Sequence, residues 1–245
     1  MDRIGLCSVT LRALAAGEVA ELAAAAGLRV IEWGGDVHAP PGGALEEVRE
    51  QTATAGLRTC SYGSYWRADS DFTEVARAAV VLGAPRIRVW AGTEGSADAS
   101  ARTRSRVVGA LREATEIAVE NGLSVALEFH SRTLADTPAA ALRLLDEVGM
   151  EALSTYWQPP AGEPAGSAVE GLRAIADRVS AVHVFSWWPD ENRIPLADRA
   201  RLWLSALEVV AGRPVDLLLE FVPDDDPGAL AREAKTLLRW VKEVG

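Results

Sequence analysis

The clearest unit of this chain runs from Ala114 to His130 and reads Ala114-Thr115-Glu116-Ile117-Ala118-Val119-Glu120-Asn121-Gly122-Leu123-Ser124-Val125-Ala126-Leu127-Glu128-Phe129-His130. Its first half is helical in pattern, Gly122 ends that helix, and Ser124–Phe129 is a short apolar strand that runs into polar residues. Glycine suits such a joint because helices often finish on a left-handed residue, a conformation that costs glycine little. The same order recurs at Val19–Gly35, Val48–Ser64, Val75–Gly92 and Leu142–Trp157, with joints at Gly27-Leu28, Gly56-Leu57, Gly83-Ala84 and Gly149-Met150.

Extending the pattern predicts strands near Arg3–Val9, Val30–Gly34, Thr59–Gly63, Ile87–Ala91, Ser124–Phe129, Ala152–Tyr156, Ala181–Phe185 and Asp216–Phe221. Helical patterns fill the gaps, among them Glu18–Ala26, Ser105–Glu120, Ala139–Glu147, Arg199–Val210 and Ala229–Glu243. Short apolar strands alternating with helices require parallel pairing through crossover helices. Eight units in 245 residues fit a closed (β/α)8 TIM barrel. No Pro- or Gly-rich linker divides the chain, so residues 1–245 are expected to form a single domain. Gln158–Pro164 reads as a loop, and Asp224-Asp225-Asp226-Pro227 as a turn capping the last helix. A doubly wound nucleotide-binding sheet would show a Gly-x-Gly-x-x-Gly turn after its first strand, where this chain has Cys7-Ser8-Val9-Thr10.

Hydrophobic residues make up 49% and charged residues 24%, an ordinary globular balance. The formal charge of −10 leaves no basic footprint for nucleic acid. No apolar run approaches the roughly 20 residues that span a bilayer, and Met1-Asp2-Arg3 leads straight into a strand rather than a secretory signal. Cys7 and Cys60 sit in apolar strand-like segments and read as buried free thiols of a reducing compartment. A cytoplasmic protein without nucleic-acid or membrane partners is expected, with a homodimer as an open option.

In a parallel barrel, function gathers at the C-terminal ends of the strands. Three polar residues interrupt apolar strands there: Glu128 in Val-Ala-Leu-Glu-Phe-His, His183 in Ala-Val-His-Val-Phe and Glu220 in Leu-Leu-Leu-Glu-Phe-Val. They belong to strands five, seven and eight, and strand six ends in Tyr156-Trp157-Gln158-Pro159 between them. Buried carboxylates need positive company, and two close together repel. A divalent cation shared by Glu128, Gln158, His183 and Glu220 answers both needs. The mixed oxygen and nitrogen set suits Mn2+, Mg2+ or Co2+, and Zn2+ is compatible. The competing explanation is structural: either glutamate paired with a barrel arginine such as Arg88, and His183 as a hydrogen-bonded core histidine.

Trp33, Trp66, Trp90, Trp157, Trp187, Trp188, Tyr62, Tyr65 and Tyr156 fall at or just after the predicted strand ends. Indole at a pocket rim offers a flat apolar face and one N–H donor, which matches a sugar or cyclitol. Trp33, Tyr62, Trp90, Trp157 and Trp187 are therefore expected to contact substrate, along with His130, His38 and, on an upper loop, Arg193. Some of the tryptophans are expected only to plug the barrel top.

At these residues the chain resembles, over essentially its whole length, the xylose-isomerase-like TIM-barrel superfamily, especially its sugar phosphate isomerases and epimerases. Leu127-Glu128-Phe129-His130 followed by Thr133-Leu134-Ala135-Asp136-Thr137 is similar to that group's strand-five segment, and His183 and Glu220 match its later ligands. The resemblance implies one divalent ion held in a cage of carboxylates and an imidazole, with Glu128 and Glu220 as ligands that also exchange protons with substrate carbon. It implies an isomerase or epimerase acting on a sugar, keto-sugar or cyclitol through an enediolate, or a dehydratase on the same apparatus. One departure stands out: the usual strand-six aspartate is Gln158, so the cage carries one negative charge fewer. That substitution also keeps open a non-catalytic sugar-binding barrel with a degraded site. An abasic-site endonuclease of the same superfamily would need more His and Asp ligands than this chain, with three histidines, supplies.

Overall fold

The computed structural model describes residues 2–245. Eight parallel strands close into one barrel in chain order. They are β1 (Ile4–Cys7), β2 (Val30–Gly34), β3 (Arg58–Gly63), β4 (Arg86–Val89), β5 (Ser124–Leu127), β6 (Leu153–Trp157), β7 (Val179–Val184) and β8 (Asp216–Leu219). Each is followed by its helix: α1 (Ala16–Ala25), α2 (Leu45–Thr54), α3 (Thr73–Leu82), α4 (Ala101–Glu120), α5 (Pro138–Val148), α6 (Ala165–Ile175), α7 (Ala200–Val210) and α8 (Leu230–Val244). The ring closes where Ile4, Gly5 and Leu6 pair with Leu217, Leu218 and Leu219. The expected single (β/α)8 barrel is the observed fold.

Local chemistry explains the helix limits. Thr137 caps α5 by accepting from the Ala140 amide, Pro138 stands in the first turn, and Gly149 ends the helix at a φ of 69°. In α8 the buried positions Leu230, Glu233, Ala234, Leu237 and Trp240 lie on one face. Asp226 accepts from the Gly228 amide in the turn that leads into α8, as its sequence suggested.

Side chains alternate between the helix layer and the lumen. Val30, Cys60, Ala126, Tyr156, Ala181 and Leu218 form a compact cluster of their own inside the barrel, apart from the large core between strands and helices. Beside that cluster a buried ion pair joins Arg86 to Asp216 at 2.6 Å, and Arg86 Nε also donates to the Tyr156 hydroxyl at 3.1 Å. One step further along the strands, Arg88, Glu128, His183 and Glu220 face the same lumen. The ladders of β5 and β8 stop at Leu127 and Leu219, one residue before the two glutamates. Their backbones stay anchored: the Glu128 amide donates to Val89 O at 2.8 Å and the Glu220 amide to Val184 O at 3.1 Å.

Two free cysteines, Cys7 and Cys60, are buried, as expected. Among the described residues no helix is long and apolar enough to cross a membrane.

The first strand packs so tightly on the second that Gly5, paired with Val30, leaves no room for a side chain. A Cβ built there runs into the Val30 carbonyl and its Cγ2. Gly5→Ala should therefore force the strands apart and destabilise the barrel by about 3 kcal/mol or more; a denaturant midpoint equal to wild type would contradict this packing.

Candidate active site at the barrel mouth

Glu32, Arg88, Glu128, His183 and Glu220 are all at most 5% exposed and converge on the carboxyl ends of their strands. Carboxylates this deep need hydrogen bonds or cations. Glu32 has both: Arg88 Nε donates to its Oε1 at 2.9 Å, the Tyr156 hydroxyl to its Oε2 at 2.7 Å, and the Cys7 thiol to its Oε1 at 3.3 Å. Burial alone would raise the Glu32 pKa, but Arg88, His183 and Tyr156 outweigh it and hold the carboxyl well below the usual range. The same guanidinium turns its Nη1 to Glu128 Oε2. Burial works against the Arg88 charge, and Glu32 with other neighbouring anions more than restores it.

His183 stands between two groups of partners. Its Nδ1 lies 3.1 Å from Gln158 Oε1 and 3.2 Å from Glu220 Oε2. Its Nε2 faces Glu32 Oε1 at 3.4 Å yet is a buried ring nitrogen without a hydrogen bond. Burial lowers the His183 pKa, but Glu220, Cys7 and Glu32 prevail and raise it well above the ordinary histidine value. With His183 protonated, two cationic side chains balance most of the charge of three carboxylates.

Two groupings could grip an ion. The buried Cys7, Glu32 and His183 bring one ligand atom each within 4.8 Å of one another, close enough to hold a metal. Burial, then Glu32 and Glu220, push the Cys7 thiol up to about 12, so the softer ligand of this set is protonated at neutral pH. Gln158 Oε1, His183 Nδ1 and Glu220 Oε2 form the other grouping. An amide oxygen, an imidazole nitrogen and a carboxylate oxygen fit a hard divalent ion, and both oxygens lie close to the same ring nitrogen. Three of the four expected ligands thus meet. Glu128 shares the mouth but pairs with Arg88, and no hydrogen bond or ion pair joins it to the other three among the described residues.

The aromatic residues divide. Trp90 is half-buried on the lumen side: its ring packs on His130 at 4.3 Å and beneath the Arg67 guanidinium at 3.9 Å, and its buried Nε1 has no partner. His130, half-buried with its pKa lowered by desolvation, spends Nδ1 on the Ser131 carbonyl at 2.8 Å. Trp187 packs against Phe185 and Phe221, also with an unpartnered buried Nε1. Arg193 lies over Phe221 at 4.5 Å and pairs with Asp225.

Four expected contacts do not line the mouth. Trp33 is fully buried on the outer side of β2, its Nε1 donating to Thr52 of α2 at 3.1 Å. Trp157 packs edge-on against Trp203 of α7. Tyr62 is fully buried, with its hydroxyl on Ala39 O at 3.0 Å. His38 has both ring nitrogens occupied, by Ser8 Oγ at 3.0 Å and Leu14 O at 3.1 Å, and burial lowers its pKa. All four are packing residues, because strand alternation turns Trp33, Tyr62 and Trp157 outward and the turn after β2 locks His38. Sequence reasoning passed over Glu32 and the place of Cys7 at the mouth, whereas the pairing of a glutamate with Arg88, its structural alternative, is what Glu128 shows. Glu32 in Val-Ile-Glu-Trp carries the same signal that exposed Glu128, a charge inside an apolar strand.

Known proteins share this architecture. Over 63 residues, 26% of this chain, the sequence is 41% identical to 3-dehydroshikimate dehydratase of Bacillus anthracis, and the match spans 22% of that protein's length. The structure of L-ribulose 3-epimerase superposes with a TM-score of 0.77 at 17% identity, covering 100% of this chain and 96% of that one. A xylose isomerase-like TIM barrel protein from Mycobacterium smegmatis, in complex with magnesium, superposes with a TM-score of 0.70 at 17% identity, covering 96% and 92%. The family model for xylose isomerase-like TIM barrels matches residues 20–199. With that match over most of its length and a closed eight-stranded barrel, the chain belongs to the xylose isomerase-like TIM barrel family.

Proposed function

We propose that the protein is a divalent-metal-dependent enzyme that moves a proton at a carbon beside a carbonyl, acting as an isomerase or epimerase on a sugar, keto-sugar or cyclitol. The observation that carries this reading is the approach of Gln158 Oε1 and Glu220 Oε2 to His183 Nδ1, at 3.1 and 3.2 Å, in a mouth that holds a second buried carboxylate, Glu128. The ion, Mn2+, Mg2+ or Co2+ by donor type, would be held by these side chains and would supply Lewis-acid polarisation of the carbonyl. The protein's own groups supply the rest. Glu128, ion-paired with Arg88, takes the proton from substrate carbon. Glu220 returns it, to the opposite face in an epimerase or to the neighbouring carbon in an isomerase. Trp90, with His130 packed on it and its indole N–H free, offers a face and a donor for a hydroxylated substrate, and Trp187 offers a second donor.

A dehydratase is the second reading, favoured by the 41% identity to 3-dehydroshikimate dehydratase over 63 residues. It begins with the same proton abstraction and differs in expelling a neighbouring hydroxyl as water.

Solvent-deuterium exchange into a panel of ketoses and keto-cyclitols, followed by NMR, reports the shared first step. Glu128→Gln and Glu220→Gln should each slow exchange by about 100-fold or more, and a chelator should abolish it until Mn2+ is restored. Full exchange in either variant refutes the role given to that glutamate. A product that gains a conjugated double bond identifies the dehydratase.

The metal-free protein should also show a pH signature of His183. A group whose pKa is raised by folding stabilises the native state below its unfolded value, and that stabilisation is lost as pH rises through the folded value. Chelated wild type should therefore lose thermal stability above about pH 6.5, and His183→Gln should lack that slope. Identical slopes in the two proteins would show that no imidazolium is buried there.

A further inference from the structure

We propose that the chain pairs with a second copy of itself across α1, the α8 face of each copy lying against the α1–α2 groove of the other. This reading is independent of the chemistry at the mouth.

The chain carries a formal charge of −10, and its two lysines, Lys235 and Lys242, both stand on the exposed face of α8. Arg232 and Arg239 share that face, because the spacing of 232, 235, 239 and 242 keeps all four on one stripe. With Ala26 and Leu238 they line a groove of about 500 Å³ between α8 and α1, and no acidic side chain lines it. On the other side of α1, Glu21, Glu47 and Glu50 line a second groove, of about 350 Å³, without a basic side chain. The helix between the two grooves exposes Leu22, a large apolar side chain left 37% exposed.

Like charges crowded along one groove repel, and they call for counter-charge. The chain itself supplies little. Arg232 pairs with Glu233 at 2.7 Å and Arg239 with Glu243 at 3.5 Å. Arg49, the basic residue of α2, turns away to Val81 O at 3.2 Å. Lys235, Lys242, Glu21 and Glu50 have neither an ion pair nor a side-chain hydrogen bond among the described residues.

Grooves of opposite sign flanking one helix make a self-complementary surface. A two-fold axis along α1 exchanges its two sides, so each basic groove meets the acidic groove of the other copy. Such an axis also preserves height along the helices. Lys235, Glu21 and Glu50 are each the sixth residue of α8, α1 and α2, helices that all start at the mouth end of the barrel. The free charges therefore meet at one level. Leu22 and the apolar stems of the basic residues provide the dry contact, while charge sets register and partner. The mouth stays open, because the paired face is the outer side of the helix ring.

Sedimentation velocity on the full chain tests this. Wild type should be a dimer at low salt, and about 1 M NaCl should weaken it by about tenfold or more. Lys235→Glu/Lys242→Glu and Glu21→Lys/Glu50→Lys each set like charges together and should raise the dimer dissociation constant by about 100-fold or more. Mixed in equal amounts, the two variants should form a heterodimer, because both halves of the mixed pair set lysine against glutamate. Unfolding midpoints equal to wild type check that each variant is folded. A dimer indifferent to both reversals overturns the proposal, as do folded variants that stay monomeric when mixed. A monomeric wild type overturns it too, and binding of that monomer to phosphatidylserine vesicles would assign the α8 stripe to an anionic surface instead.

Discussion

A guanidinium cannot shed its charge by losing a proton, so burying one commits the surrounding chain to supplying anions. Arg88, on β4, is the point where that commitment shapes this barrel. Glu32 from β2 and Glu128 from just beyond β5 answer it from either side. Tyr156 from β6 and Cys7 from β1 then satisfy the remaining demand of Glu32. One fixed charge thus ties β4 to β2, across the intervening β3, as well as to the end of its neighbour β5, and the mouth inherits its geometry from that tie.

Around this anchor the mouth has two halves. On one side Glu128 rests against a permanent cation. On the other, His183 joins Gln158 and Glu220 in a set of oxygen and nitrogen donors. The two glutamates, equivalent by strand position, therefore sit in different electrostatic surroundings.

Much of the fold was legible because each unit carries its own punctuation. The glycines at 27, 56, 83, 122 and 149 do adopt left-handed backbone angles at the helix–strand joints. Glu128, His183 and Glu220 were legible because a charged or titratable residue inside an apolar strand demands an explanation. Glu32, in Val-Ile-Glu-Trp of the second strand, meets the same criterion. The aromatic residues were harder, because which face of a strand a residue takes depends on a single step of register. Bulges between Ile31 and Glu32 and between Thr155 and Tyr156 shift that register with no mark in the sequence. Tyr156, read as rim, ended inside the barrel, and Trp157 beside it faces the helices. Pairings such as Arg88 with Glu32 join residues 56 apart in sequence, and only the closed ring brings them together.

Beneath the mouth, Arg86, Asp216 and Tyr156 tie the lumen across, and the small apolar side chains around them fill what space remains. The barrel is consequently a blind vessel rather than a tube. Whatever enters the mouth must leave the same way, past the loops that follow the strands. Those loops can therefore be redrawn to change what the vessel accepts while the strands beneath them stay as they are.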